Sequence, residues 1–485
     1  MMMRLSMRAA SLVAAAVVAV PAGADPFDGI RDRIRDALIE ENVPSIAVAV
    51  ARDGKVLWEE GFGWADKERR IAASADSVYS LASISKPITA TALMVLVERG
   101  EIDLDAPMNR YLGEAKLIAR VGDADEATVR RVANHTSGLP VYYQYFYEDE
   151  RVPLPTMEQS IRRHGTLFMK PGEAMVYSNL GYGVLEYAIE RVSGKSYSEF
   201  MRTELFAPLG MTHSAINREP DFGEKVAVRY AANGAPVPFY DFDHRGASAV
   251  YASAHDLVRF GMFHLKDRVP GQKAILSDAS LDAMRVATAE DDEDGYGIGW
   301  DDIGKRFGLA IFGHSGGMPG VYTRLTMFPE RDIAIVLLAN AYSGQLTAIE
   351  NAILHVLLPE TIPLAHGYKP TKEFIGAWQG SIETHAGRTP MSLEIGPDGH
   401  VLARVGDGAV TEVERVSLSP QGILWLEEVP GDIGTQDAAR YPYLMQFGLK
   451  ARGDVLNGSA TAVSGDTARR AGSTLSYFVE LRRKP

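Results

Sequence analysis

A chain of 485 residues is too long for one ordinary core, so two domains are the default expectation. Its formal charge of -13 leaves no basic face to neutralise phosphates, which argues against a nucleic-acid or anionic-membrane partner. With no cysteine, disulfides, thiol nucleophiles, cysteine zinc sites and a lipidated N-terminal cysteine are excluded, so any nucleophile is an oxygen.

Residues 1–24 carry Arg4 and Arg8, the small apolar run Ala9 to Val20, and Ala22-Gly23-Ala24 before Asp25. This three-part layout predicts a signal peptide cut after Ala24, hence an exported, periplasmic or secreted protein. The run is short for a membrane span of about 20 residues, and no later stretch is apolar enough to cross a bilayer.

From Phe27 to Asn42, Ile30, Ile34, Leu38 and Ile39 mark an amphipathic helix ended by Pro44. Ser45–Ala51 and Lys55–Trp58 flank Asp53-Gly54, a hairpin turn dipeptide. Next comes Ser83-Ile84-Ser85-Lys86, which opens a run, Pro87 to Gly100, that is apolar on nearly every side. That run predicts a buried helix with a glycine cap. One turn of helix brings Ser83 and Lys86 onto one face, β-carbons roughly 5–6 Å apart, at an end where N–H groups and the helix dipole favour developing negative charge. Chance supplies such a spaced pair about once in a chain of this length, but a lysine in a buried helix is costly unless paired or neutral.

Further on, Val132–Pro140 precedes an aromatic loop of Tyr142, Tyr143, Tyr145, Phe146 and Tyr147, which fits packing or a pocket rim. Helices are predicted over 155–164, 180–193 and 197–206, with Tyr177-Ser178-Asn179 in the loop before the second. The acidic run Glu290 to Asp294 reads as a solvated loop without metal duty. Strand character returns at Tyr296–Trp300, Leu309–Phe312, Val321–Phe328 and Ile333–Leu338, and the hairpin spacing of these runs predicts an antiparallel sheet edge. The stretch Gly313-His314-Ser315-Gly316-Gly317 falls between two of them, its glycines leaving room for a substrate backbone. A helix near Thr347 to Leu358 precedes a linker marked by Pro359, Pro363 and Pro370. Beyond Thr371, short runs such as Met391–Ile395, Ile423–Leu426, Tyr443–Phe447 and Tyr477–Leu481 predict a separate small all-β barrel. The organisation is thus a signal peptide over 1–24, an enzyme domain over 25–365 and a β domain over 371–485.

In order, Ser83-x-x-Lys86, Tyr177-x-Asn179 and His314-Ser315-Gly316 resemble the three motifs of the serine β-lactamase and penicillin-binding-protein family. The match is to its class C-like branch, which includes DD-peptidases, D-aminopeptidases and β-lactamase-like esterases. His135–Pro140, Pro208–Met211 and Tyr296–Trp300 resemble further segments, so the likeness covers roughly residues 28–358. It implies an α/β (α+β) fold, with an antiparallel sheet flanked by helices and a helical subdomain. The C-terminal part is similar to the lipocalin-like appendage of some members. It also implies an acyl-enzyme on Ser83, with Lys86 and Tyr177 sharing the general-base role. Asn179 would orient Lys86 and the substrate amide, His314, Ser315 and Gly316 would bind substrate, and the N–H groups of Ser83 and Gly317 would form the oxyanion hole. No cofactor or metal is implied, and the 11 histidines show no H-x-H or H-E-x-x-H spacing. Substrates would be small esters, peptides or cell-wall-derived molecules; oligomeric state is left open.

The third motif departs from its common lysine form. A histidine near pKa 6.5 is mostly neutral at pH 7 and cationic in acid, which favours an esterase or D-amino-acid peptidase over an efficient β-lactamase. Two rivals stand beside this reading. Gly313–Gly317 also fits the G-x-S-x-G elbow, with Ser315 as nucleophile, although that elbow must run from strand into helix. Alternatively, the protein is a penicillin-binding, cell-wall-sensing module that is acylated and not turned over.

Overall fold

The computed structural model describes residues 25–484 apart from 268, 291–294, 360–368, 398, 414, 420–421, 441 and 465–473. The predicted signal peptide, most of the acidic run and Pro363 of the linker therefore lie outside the described residues. A nine-stranded sheet is built from β1 (Ser45–Arg52), β2 (Lys55–Asp66), β3 (Ile71–Ala72), β4 (Ala289–Glu290), β5 (Gly295–Tyr296), β6 (Asp301–Arg306), β7 (Leu309–Met318), β8 (Val321–Phe328) and β9 (Ile333–Ala339). Their order is β4-β5-β6-β7-β8-β9-β1-β2-β3, and neighbouring strands run antiparallel.

Both faces of the central strands are buried, so their alternation is large against small. Ile46, Val48 and Val50 of β1, with Ile333, Ile335 and Leu337 of β9, join α1 (Asp28–Glu40) and a helix over Leu346–Leu357 in one core. Ala47, Ala49 and Ala51 face the other core, where the helix Ala254–His264 packs close. Small side chains permit that approach: a β-carbon on Gly261 would stand 3.1 Å from Ala334 Cβ. The β1–β2 turn carries Asp53 and Gly54 at φ of 51° and 69°, as its sequence requires.

Three expectations are corrected. The strands β7, β8 and β9 are not a sheet edge, because β9 pairs along its length with β1 and β7 pairs with β6. The run Tyr296–Trp300 is strand only at its first residue: Gly299 turns at φ 82°, and a β-carbon there would meet Ala90 Cβ at 2.4 Å. Gly313–Gly317 is not a connection between strands but part of the second half of β7, in register with Thr326 to Tyr322 of β8.

Residues 374–481 form a third core of their own, around Trp378, Leu426, Phe447 and Leu481. Nine strands surround it: β10 (Gly376–Thr384), β11 (Gly387–Ile395), β12 (Val401–Val405), β13 (Thr411–Glu412), β14 (Arg415–Leu418), β15 (Ile423–Val429), β16 (Leu444–Arg452), β17 (Val455–Val463) and β18 (Thr474–Arg483). Each neighbours its successor, except that β13 and β14 are not paired among the described residues, and β10 pairs with β18. The sheet therefore curls until first and last strands meet, with its seam between β13 and β14.

Candidate active site

The nucleophile candidate sits in a strained turn. Ala82 adopts φ 49°, Ala82–Ile84 form one 3₁₀ turn, and α2 (Ser85–Glu98) continues directly. Twelve residues from Ser85 to Leu96 of α2 are buried, so the helix is a core element, and it stops at Gly100 with φ 70°. The turn is held against β7 and β8: Thr323 Oγ1 donates to the Leu81 carbonyl at 2.9 Å. A β-carbon on Gly316 would lie 2.2 Å from that same oxygen, so glycine is required where β7 crosses the turn. Pairing with β6 reaches only Gly313, which, among the described residues, leaves the further half of β7 without a strand neighbour on that side.

Lys86 is fully buried. Its Nζ donates to Ser83 Oγ (3.1 Å), Asn179 Oδ1 (2.7 Å) and the Ala247 carbonyl (3.2 Å), and lies 4.6 Å from the centre of the Tyr177 ring. Burial holds its pKa well below the usual lysine range, opposed by the Asp301 carboxylate. The amine is thus shifted toward its neutral, proton-accepting form. Asn179 is the first residue of α3 (Asn179–Ser193), where Ser178 caps the helix by accepting from Gly181 N–H. Its amide is oriented at both ends, because Nδ2 donates to the Tyr142 carbonyl at 3.0 Å. The Tyr177 phenol is pushed well above its ordinary pKa by burial, with the Ser83 hydroxyl pulling the other way. A resting phenol therefore faces an amine-like Lys86 across Ser83.

His314 is buried, and burial beside Lys86 pushes its pKa down to about 3. Nδ1 donates to the Ser315 carbonyl at 2.6 Å, and Nε2 lies 3.3 Å from the Tyr296 hydroxyl. This corrects the expectation of a weak cation that strengthens in mild acid: the ring stays neutral throughout that range. Ser315 is not brought into the cluster by its side chain. Strand alternation places His314 and Gly316 on the face of α2 and Ser315 on the opposite face, where its register partner Arg324 pairs with Glu350 of the outer helix. Gly317 is exposed on the open part of β7. The chain turns from β7 into β8 as a hairpin, so the strand-to-helix context of an elbow nucleophile is absent at Ser315.

Two residues complete the cluster beyond those singled out for it. His135, at φ 65°, accepts from Ser178 N–H through Nδ1 (3.1 Å), and its ring lies tilted 4.4 Å from Tyr177 and edge-on 4.6 Å from Tyr296. Tyr296 closes the floor between His135 and His314. The aromatic loop packs against the cluster. Tyr142 presents its carbonyl to Asn179 and its hydroxyl to Asp243 at 2.6 Å, while Tyr143 is half exposed. Among the described residues, no group of three or more His, Asp or Glu side chains has the geometry of a metal site.

A serine in a turn at the mouth of a buried helix, a desolvated lysine one turn away, and a phenol and amide converging on both define a serine acyl-transfer enzyme. The model of the Beta-lactamase family matches residues 30–358, about two thirds of the chain, and the protein belongs to that family as a serine hydrolase. Penicillin-binding protein 4 of Amycolatopsis lactamdurans is 31% identical over 352 residues, covering 69% of this chain and 91% of that protein. Penicillin-binding protein 4* of Bacillus subtilis (strain 168) is 28% identical over 414 residues, covering 79% and 85%. Among solved structures, the octameric penicillin-binding protein homologue from Pyrococcus abyssi has the same fold, with a TM-score of 0.62, 23% identity and coverage of 93% of this chain and 99% of that one. Among the described residues, no helix is long and apolar enough to cross a membrane.

Proposed function

We propose that the protein is exported and hydrolyses esters or amides of small or peptide-like substrates through an acyl-enzyme on Ser83, as an esterase or D-amino-acid peptidase rather than an efficient β-lactamase. The observation that carries this reading is the fully buried Lys86 with Nζ 3.1 Å from Ser83 Oγ. In the first step the Ser83 hydroxyl proton passes to Lys86 Nζ while Oγ bonds to the substrate carbonyl carbon. The oxyanion is received by the backbone N–H groups of Ser83 and Gly317. The proton then returns through the Tyr177 hydroxyl to the leaving oxygen or nitrogen as that bond breaks. Water repeats the sequence in reverse and releases the acid. Asn179 keeps Lys86 aimed at Ser83 and offers its amide to the acyl side of the substrate.

Preference among acyl groups follows from His314. A lysine at this position would present a permanent charge to a substrate carboxylate, and a neutral, hydrogen-bonded imidazole presents none. Turnover of p-nitrophenyl esters and D-amino-acid peptides should therefore exceed that of an anionic chromogenic cephalosporin. Efficient cephalosporin hydrolysis would overturn the preference, and a stoichiometric burst without turnover on every substrate would assign the protein to penicillin sensing. Export is checked by sequencing the mature N-terminus, expected at Asp25.

A further inference from the structure

We infer that a pocket beneath the excursion 217–240, apart from the Ser83 cluster, binds a small carboxylate carrying an apolar or aromatic group. The pocket has a volume of about 370 Å³, within the range of small-molecule sites. Its wall includes Arg229, which is 6% exposed and has no carboxylate in ion-pair range among the described residues. Among the described residues Arg229 Nη1 has no hydrogen-bond partner, and Nη2 makes only a long contact of 3.5 Å to the Tyr240 carbonyl. A buried guanidinium left so is costly, and a forked acceptor such as a carboxylate meets that need. The other charged wall residues are already engaged. Asp66 accepts from Arg69 N–H at 2.8 Å, Asp221 accepts from Gly223 N–H at 2.8 Å, Arg69 pairs with Glu224, and Arg218 lies 3.4 Å from Glu148.

The remaining lining suits the apolar part of such a ligand. Val228, Val237, Phe239 and Tyr251 supply it, with Arg218 stacked 3.7 Å from the Phe239 ring and Arg229 stacked 3.6 Å from Tyr240. The pocket adjoins the end of the substrate-facing strand: a β-carbon on Gly320 would lie 2.6 Å from Arg229 Cβ, and the Tyr240 hydroxyl donates to the Pro319 carbonyl at 2.7 Å. From Gly316 to Met318 the strand covers about 7 Å at roughly 3.3 Å per residue, and the turn at Pro319 and Gly320 follows directly. The carboxylate can thus be the remote end of an extended substrate or a separate small acid.

The test is calorimetric titration of the full chain with phenylacetate and with neutral phenylacetamide, in wild type, Arg229→Gln and Val237→Trp. Phenylacetate should bind wild type saturably and more tightly than the amide. Arg229→Gln should weaken it about tenfold or more, the loss expected for a charge-assisted pair. Val237→Trp, which fills the pocket and keeps the arginine, should weaken it likewise. Hydrolysis of p-nitrophenyl acetate should stay within about twofold of wild type in both variants, which separates this site from the catalytic reading. A further arm uses the p-nitrophenyl monoester of dodecanedioic acid: a loss of kcat/KM in Arg229→Gln, absent for the methyl-capped analogue, assigns the site to the substrate's own end. Phenylacetate binding without that loss assigns it to a separate acid. No saturable binding to wild type, equal affinity in all three proteins, or equal affinity for the amide would overturn the proposal and leave Arg229 as a brace for Tyr240.

Discussion

The interiors of the hydrolase part and the C-terminal β domain are built on opposite terms. Around Ser83 the core encloses a lysine, the imidazoles of His135, His244, His264 and His314, and the carboxyl groups of Glu186 and Asp243. Inside the curled sheet the described buried polar side chains are Thr435 and Ser464, and the rest is aliphatic or aromatic. Burying ionisable groups costs stability unless they are neutralised or paired, so such groups persist where their shifted pKa values do chemistry. A dry interior offers no proton acceptor. The comparison therefore places the buried ionisable groups that chemistry would need in the hydrolase part, with none among the described residues inside the curled sheet.

Removing the lysine should have the largest effect and should break the contrast most sharply. Lys86→Met is expected to lower kcat/KM for a p-nitrophenyl ester by about 10³, within the range for loss of a general base, while Tm holds or rises because a buried amine is replaced by an apolar chain of similar length. A fall in Tm with activity retained would show that the lysine is structural. The reciprocal change lies in the β domain. Trp378 is fully buried and donates from Nε1 to the Phe374 carbonyl at 2.8 Å, so Trp378→Ala should cost about 3–5 kcal/mol there. Ester hydrolysis should be unchanged at temperatures below that domain's melting step, as followed by calorimetry.

Acid should separate the two parts next. His135, His264 and His314 have folded pKa values below their ordinary value because burial opposes the charged form. The unfolded chain then binds more protons between about pH 6.5 and the lowered values. Their stabilisation is complete above pH 6.5 and is lost progressively as pH falls below it, for His314 down to about 3. Among the described residues the β domain buries no ionisable side chain, so the melting step of the hydrolase part should move down with acid further than that of the β domain. The smallest effect has the opposite sign. Burial and the neighbouring Asp332 and Asp53 carboxylates raise Asp267 to about 6. Its folded form holds a proton that the unfolded form has lost between about pH 4 and 6, so this contribution is present in acid and lost as pH rises through 6. Asp267→Asn should raise Tm by about 2–4 °C at pH 8 and leave it unchanged at pH 4.

Much of the site was legible because its chemistry is local in sequence. Ser83 and Lys86 share one helical turn, and Tyr177 and Asn179 flank one helix cap. The sheet was legible as strands but not as an order, since β1 and β9 pair across nearly the whole hydrolase part and no local pattern encodes that contact. The strand β6 escaped notice because Asp301-Asp302-Ile303-Gly304-Lys305-Arg306 has one apolar residue; its pairing with β7 is supplied by tertiary context. His314 was found, but not its state, which depends on burial by Tyr296, Tyr177 and Lys86 from distant segments. His135 carried a signal in its His-Thr-Ser-Gly run. Its partner Ser178, 43 residues away, did not.

The most direct test of the central claim is to label the full chain with a fluorophosphonate and map the adduct by mass spectrometry in wild type, Ser83→Ala and Ser315→Ala. The account predicts an adduct on Ser83 in wild type and in Ser315→Ala, and none in Ser83→Ala. An adduct on Ser315, or labelling that survives Ser83→Ala, would contradict it.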